Sequence, residues 1–175
     1  YAMAMLFISH DLAVMAQVAD RIAVMQSGEI VETADTYTLI NEPQTDYSRQ
    51  LLTAAGLKKL QDNTFKSQPA ALVHIKKLKV TFKQPKSLFK RRQFTAVNQA
   101  NLVINTGEIV GLVGESGSGK TTLGRCLVGL QTPDSGEILF KGRALCDNRQ
   151  AKKRIQMIFQ DPYASLNPQL TIQQS

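Results

Sequence analysis

The chain has 175 residues, 43% of them hydrophobic and 20% charged, with a formal net charge of +7. That length allows one good core or two small ones, and the composition excludes a disordered chain. No apolar run approaches the roughly 20 residues needed to cross a bilayer, no signal peptide is present, and Cys126 and Cys146 have neither metal-ligand spacing nor the density of a disulfide framework, so the reading is a cytoplasmic protein.

In chain order, Met3 to Ile8 reads as a buried strand ending at Ser9-His10-Asp11, and Leu12, Met15, Ala16 and Ala19 mark the apolar face of a following helix. Ile22 to Met25 and Glu29 to Glu32, joined by Gln26-Ser27-Gly28, form a hairpin pattern. Thr45 or Asp46 caps a short helix whose Leu51, Leu52 and Ala55 pack inward, and Gly56 stops it. Residues 57 to 71 lack a sustained period and read as a linker. Alternation resumes around Leu78, Val80 and Phe82, followed by a polar loop, a strand from Ala96 to Ile104 and a turn at Thr106-Gly107. The basic run Lys90-Arg91-Arg92 between Phe89 and Phe94 reads as a solvated loop rather than a surface for nucleic acid or anionic lipid. Later come Pro133-Asp134-Ser135-Gly136, a strand from Glu137 to Phe140, and Ile155 to Phe159 leading into Gln160-Asp161-Pro162. The chain opens on Tyr1 and closes on Gln173-Gln174-Ser175 without a helix stop, so both ends read as cut.

Charge divides the same chain. Residues 1 to 70 carry five basic and eight acidic side chains, net −3, whereas residues 71 to 175 carry sixteen basic and six acidic ones, net +10. Two segments of different origin are implied.

Residues 114 to 121, Gly-Glu-Ser-Gly-Ser-Gly-Lys-Thr, fit the phosphate-cradling pattern G-x-x-x-x-G-K-[ST] at every defined position. The run Glu108 to Val113 before it is short, apolar and β-branched, as a strand buried on both faces is. After it, Leu123, Leu127 and Leu130 give a helix one apolar stripe. The glycines at 114, 117 and 119 let the backbone approach phosphates and turn its N–H groups inward, and the positive end of the next helix faces the anion. Within this site Gly114, Glu115, Ser116, Gly117, Ser118, Gly119, Lys120, Thr121 and Thr122 are the candidate ligands of a nucleotide triphosphate. Lys120 is assigned to the β- and γ-phosphates and the Thr121 hydroxyl to Mg2+, while Glu115 is a spacer rather than an acid catalyst.

The string Gly107 to Thr122, followed about forty residues later by Phe159-Gln160-Asp161-Pro162, resembles the start of an ABC transporter nucleotide-binding domain. Residues 159 to 168, Phe-Gln-Asp-Pro-Tyr-Ala-Ser-Leu-Asn-Pro, are similar to the Q-loop of the oligopeptide, dipeptide and glutathione importer branch. Leu6-Phe7-Ile8-Ser9-His10-Asp11-Leu12 resembles the strand and switch histidine of the same domain type, which normally follow the phosphate loop but here precede it. Pro43 to Leu52 resembles the tail that this branch adds after its ATPase core. The resemblance implies an α/β fold, an incomplete P-loop ABC ATPase core with an antiparallel β subdomain. It divides the chain into the end of one nucleotide-binding domain (1–56), a linker (57–75) and the start of a second (76–175), from phosphate loop to Q-loop.

The same resemblance assigns His10 to the γ-phosphate and attacking water, and Gln160 to magnesium or water and to relaying nucleotide state. Phe82 is the candidate for stacking on adenine, with Phe94 as rival. The implied protein is a peripheral ATPase on the cytoplasmic side of the cell membrane, partnered by permease subunits, a solute-binding protein and a second nucleotide-binding domain, and not by nucleic acid. Two alternatives are a nucleotide-binding product that never turns over ATP and a non-transport P-loop ATPase; the Q-loop phrase and the tail around Tyr47 count against the latter.

No phrase resembling Leu-Ser-Gly-Gly-Gln occurs, nor an apolar strand ending in an Asp-Glu pair, so binding without appreciable hydrolysis is expected of these 175 residues. In P-loop ATPases of this class the strand before the switch histidine lies beside the strand before the phosphate loop. Residues 3–8 and 108–113 are therefore expected to pair in parallel, as a permuted and incomplete sheet, the alternative being two tethered half-domains.

Overall fold

The computed structural model describes residues 3–57, 70–83, 93–146, 151 and 153–158. Its elements in chain order are β1 (Met5–Ile8), α1 (Leu12–Val18), β2 (Arg21–Gln26), β3 (Glu29–Asp35), α2 (Thr36–Asn41), α3 (Asp46–Ala55), β4 (Ala71–Lys83), β5 (Gln93–Asn105), β6 (Ile109–Val113), α4 (Lys120–Leu127), β7 (Ser135–Phe140) and β8 (Arg143–Ala144). The basic run 90–92, most of the linker and the Q-loop phrase lie outside the described residues. Residues 71–75, read as linker from the sequence, belong to β4.

β6 is the centre of the first sheet, whose order is β1-β6-β2-β3. It pairs in parallel with β1, Met5 opposite Ile109 through Ile8 opposite Leu112, and in parallel with β2, Arg21 opposite Val110 through Val24 opposite Val113. The expected pairing of the two separated segments is therefore present, and the half-domains are not merely tethered. β3 returns antiparallel to β2 across the Ser27-Gly28 turn. A second, antiparallel sheet has the order β5-β4-β7-β8.

Side-chain alternation on β6 and β2 explains the layering. Successive strand residues point to opposite faces. Val110 and Leu112, with Ala23 and Met25, enter a core shared with α4 and the second sheet. Val113, with Ile22 and Val24, enters a second core formed with α1, α2 and α3, and Ile109 packs against it. The central sheet is thus apolar on both faces, which accounts for the unbroken apolar run of β6.

Each helix of the second core is locally encoded. The Asp11 carboxylate caps α1 by accepting from the amides of Ala13 at 2.9 Å and Val14 at 3.2 Å. Thr45 caps α3 by accepting from Ser48, and Gly56 closes the helix in the left-handed conformation, both as the sequence indicates. α2, a six-residue helix capped by Asp35, was not anticipated.

Two side chains depart from their expected positions. Leu130, assigned to the stripe of the helix after the phosphate loop, is 63% exposed, because α4 ends at Leu127 and Gly129 turns the chain with φ of 74°. Phe82 continues the alternation of Leu78 and Val80 in sequence, yet it is exposed while they are buried. Register shifts on either side of Val80 break the period there.

The seam between segments is also polar. Arg21 Nη1 forms an ion pair with Glu108 Oε1 at 2.9 Å, and the buried Glu108 carboxylate also accepts from the Asn105 amide at 2.7 Å. Asp20 accepts from the Ile109 amide at 2.7 Å and donates its own amide to the Ile109 carbonyl at 2.8 Å. Among the described residues, no helix is long and apolar enough to cross a membrane.

Candidate nucleotide-binding site

Because β1 and β6 run parallel, the segments following them leave the sheet at the same edge. The Ser9 amide donates to the Leu112 carbonyl at 3.1 Å, so His10 begins its loop beside the point where β6 gives way to Gly114. This is where open α/β sheets bind ligands, outside the carboxyl ends of their strands and where the chain leaves in two directions. Asp11 takes the capping role for α1, which leaves the exposed His10 outside that cap.

The loop itself is shaped from two sides. Gly114 has φ of 151° and Gly119 has φ of 105°. A Cβ at Gly114 would overlap the Met25 carbonyl, and one at Gly119 would overlap the Ala96 carbonyl, so neither position accepts another residue without rearrangement. The Gly28 amide donates to the Ser118 carbonyl at 2.9 Å, and the Asn98 amide donates to the Gly28 carbonyl at 2.8 Å, so the β2–β3 turn bridges the loop to β5. The loop conformation thus depends on Met25 and Gly28 from one segment and on Ala96 from the other.

Lys120 is buried and folds back over the loop. Its Nζ donates to the Gly114 carbonyl at 2.7 Å, the Glu115 carbonyl at 2.8 Å and the Ser118 hydroxyl at 3.3 Å. Burial lowers its pKa below the ordinary lysine value. A phosphate oxygen entering here would exchange carbonyl dipoles for a full negative charge and favour the ammonium form. The mouth is open: Glu115, Ser116 and Gly117 are exposed, and a Cβ on Gly117 would meet nothing within 4 Å. α4 starts at Lys120 with Gly119 as its cap residue and no side-chain capping bond, so no side chain competes with an anion for the first-turn amides. This loop fits a polyphosphate.

Other predicted residues fall at different distances from that centre. Thr121 is exposed on the first turn of α4, and Thr122 is half-buried beside it. Phe82 on β4 stands opposite Phe94 on β5, and they are 39% and 49% exposed. They lie two residues along β5 from Ala96, the residue packed against Gly119. The structure therefore brings the two rival aromatics together as one cross-strand pair. Of the two magnesium candidates, Thr121 is described and Gln160 lies outside the described residues, which contain no cluster of three or more His, Cys, Asp and Glu suited to a metal.

Tyr47 was not assigned to the site from its sequence. It is 8% exposed at the start of α3, and its phenolic oxygen accepts the Glu115 amide at 3.1 Å. No local pattern signals a contact spanning 68 residues of chain.

Residues 97–175 match the ABC transporter family model. This part of the chain is therefore similar to an ABC transporter domain. The chain is 35% identical to the glutathione import ATP-binding protein GsiA of Escherichia coli O6:H1 (strain CFT073) over 202 aligned residues, 98% of this chain and 32% of that protein. It is 37% identical to the peptidoglycan transport ATP-binding protein YejF of Agrobacterium fabrum (strain C58), again over 98% of this chain and 32% of the relative. The GsiA of Escherichia coli K12 is 37% identical with the same coverage. The chain therefore spans about a third of the length of these relatives, 32% in each case. Its fold is accordingly a partial P-loop ABC domain of mixed α/β type with two sheets.

Proposed function

We propose that this polypeptide binds ATP with Mg2+ as part of the ATP-binding subunit of an ABC importer for peptides or related solutes. The observation that carries the reading is the formed loop at residues 114–120, with Lys120 held over it and the first turn of α4 left without a side-chain cap. ATP supplies the phosphoryl group and the binding energy that closes paired domains in such transporters. Lys120 and the loop amides hold the phosphates, Thr121 contributes a hydroxyl to the metal, and Phe82 offers a ring to the base. His10 and Gln160 are assigned to the γ-phosphate and to magnesium or water respectively.

The domain reading is also proposed: residues 1–56 are the end of one nucleotide-binding domain and residues 76–175 the start of a second. A single alignment covering 98% of the chain, in which the switch-like His10 precedes the phosphate loop, supports this order. The whole protein then acts peripherally on the cytoplasmic side of the membrane with permease subunits, a solute-binding protein and a partner nucleotide-binding domain. The 175 residues contain no signature phrase and no Asp-Glu strand, so they bind ATP without turning it over at an appreciable rate. Calorimetric titration with Mg-ATP and a phosphate-release assay on the same sample test both parts. Saturable binding with no sustained release is expected; absent binding refutes the nucleotide reading, and sustained release refutes the account of the missing groups.

A further inference from the structure

We infer that Tyr47 is a positioning residue for the phosphate loop, holding from outside the same peptide group that Lys120 holds from inside. This inference rests on the loop being a polyphosphate site.

The Gly114–Glu115 peptide is trans, like every described peptide bond of the chain, so its C=O and N–H point in opposite directions. The Gly114 carbonyl accepts from Lys120 Nζ at 2.7 Å, while the Glu115 N–H donates to the Tyr47 hydroxyl at 3.1 Å. Rotation of this one plane would break both bonds. Tyr47 therefore fixes the direction of the carbonyl on which the Lys120 ammonium rests, and it keeps the Glu115 N–H turned away from the loop interior.

Tyr47 is itself firmly held. Its ring lies in the second core with Met15, Leu39, Leu52 and Val113. The helix carrying it is anchored at Thr45, whose amide and hydroxyl both donate to Glu32 Oε2, at 3.0 and 2.9 Å, while the Gln44 amide donates to Glu32 Oε1 at 2.8 Å. Glu32 is on β3, so the chain of contacts runs from the sheet through the α3 cap to the first peptide of the loop. A segment that resembles an accessory tail thus shapes the nest of a loop 68 residues away.

Tyr47→Phe removes the acceptor and retains the ring. In the full 175-residue chain, its ATP affinity is expected to fall about two- to tenfold, the range for loss of one neutral hydrogen bond. Adenosine, which has no phosphates, should bind as it does to the parent chain, and the melting temperature should hardly change. Hydrogen exchange at the Glu115 amide should be slow in the parent chain and faster in Tyr47→Phe. ATP affinity within twofold of the parent, equal weakening of ATP and adenosine, or fast Glu115 exchange in the parent would each overturn the inference. A parent chain that fails to bind ATP rejects the nucleotide reading itself, whereas a parent that binds ATP with an unaffected variant rejects only the role of Tyr47.

Discussion

Gly111 in the middle of β6 offers a direct test of whether the two segments share one core. It stands opposite Phe7 of β1 and Ile22 of β2, and α1 crosses above it. A Cβ placed there would lie 2.8 Å from Met15 Sδ and 3.3 Å from the Ala19 Cβ, both on the helix side. Gly111→Val adds three carbons to a contact already too close. The methionine end yields more readily than backbone would, and valine suits a strand, so the net cost is expected at about 1–3 kcal/mol. Met15→Ala, at a fully buried site, is expected to cost about 2–5 kcal/mol through the cavity it leaves. In the double variant the valine enters the space that the methionine vacates. The sum of the single effects should therefore exceed the double effect by about 0.5–3 kcal/mol. Urea unfolding of the four proteins measures this cycle, and thermal midpoints should follow at about 2–4 °C per kcal/mol. Additivity to within about 0.5 kcal/mol would mean that α1 does not lie over β6, and the composite core would be refuted.

Lys120→Ala removes a charge-assisted contact to phosphate that is worth about 1.5–3 kcal/mol, so ATP affinity should fall at least about tenfold by calorimetry; unchanged affinity would place the nucleotide elsewhere. Partial burial raises the Glu32 carboxyl, but the hydrogen bonds from Gln44, Ser48 and Thr45 together outweigh it and hold the pKa below the ordinary 4.5. A lowered carboxylate pKa stabilises the fold fully above the ordinary value and loses that contribution as pH falls through the folded value. Below pH 4.5, Glu32→Gln should therefore narrow its stability gap to the parent in denaturant titrations, and a constant gap would contradict the sign. Burial pushes the Cys126 thiol up to about 11, whereas Cys146 is exposed. Limited alkylation at neutral pH followed by peptide mass analysis should modify Cys146 well before Cys126, and the reverse order would argue against the packing of α4.

What could be read from the sequence was what is local. The phosphate loop carries its glycines, lysine and threonine within eight consecutive positions, and Thr45 and Gly56 announce the ends of α3 by chemistry that acts within one helical turn. The pairing of β1 with β6 was legible for a different reason: two apolar strands each needed backbone partners, and the resemblance supplied their order, although β1 is a half-exposed edge strand and not the buried one its apolar run suggested. α2 was missed because Thr36-Tyr37-Thr38-Leu39-Ile40-Asn41 is too short for a period and rich in poor helix formers, so only packing selects it. Leu130 was misplaced because its spacing continued the α4 stripe through Gly129, where the backbone had already turned. For Phe82, irregular pairing around Val80 overrode a correct alternation, and no residue type there marks it. Tyr47 was unreadable as a site residue because its hydrogen bond links positions that only the assembled sheet brings together.

The assembled sheet also gives the phosphate loop a dependence that its motif does not express. The glycines permit the tight backbone of residues 114–119, but they do not select it, since glycine tolerates many conformations. Selection comes from Met25 on β2 and Gly28 in the turn after it, from Tyr47 on α3, and from Ala96 on β5. Three of these four belong to the acidic N-terminal segment and one to the basic C-terminal segment. Parting the segments would expose both edges of β6 and leave five consecutive strand residues without a sheet, at the same time removing three of the four constraints on the loop. Stability of the fold and shape of the anion nest are therefore coupled through one strand: whatever loosens β1 or β2 from β6 should weaken phosphate binding before any ligand contact is altered.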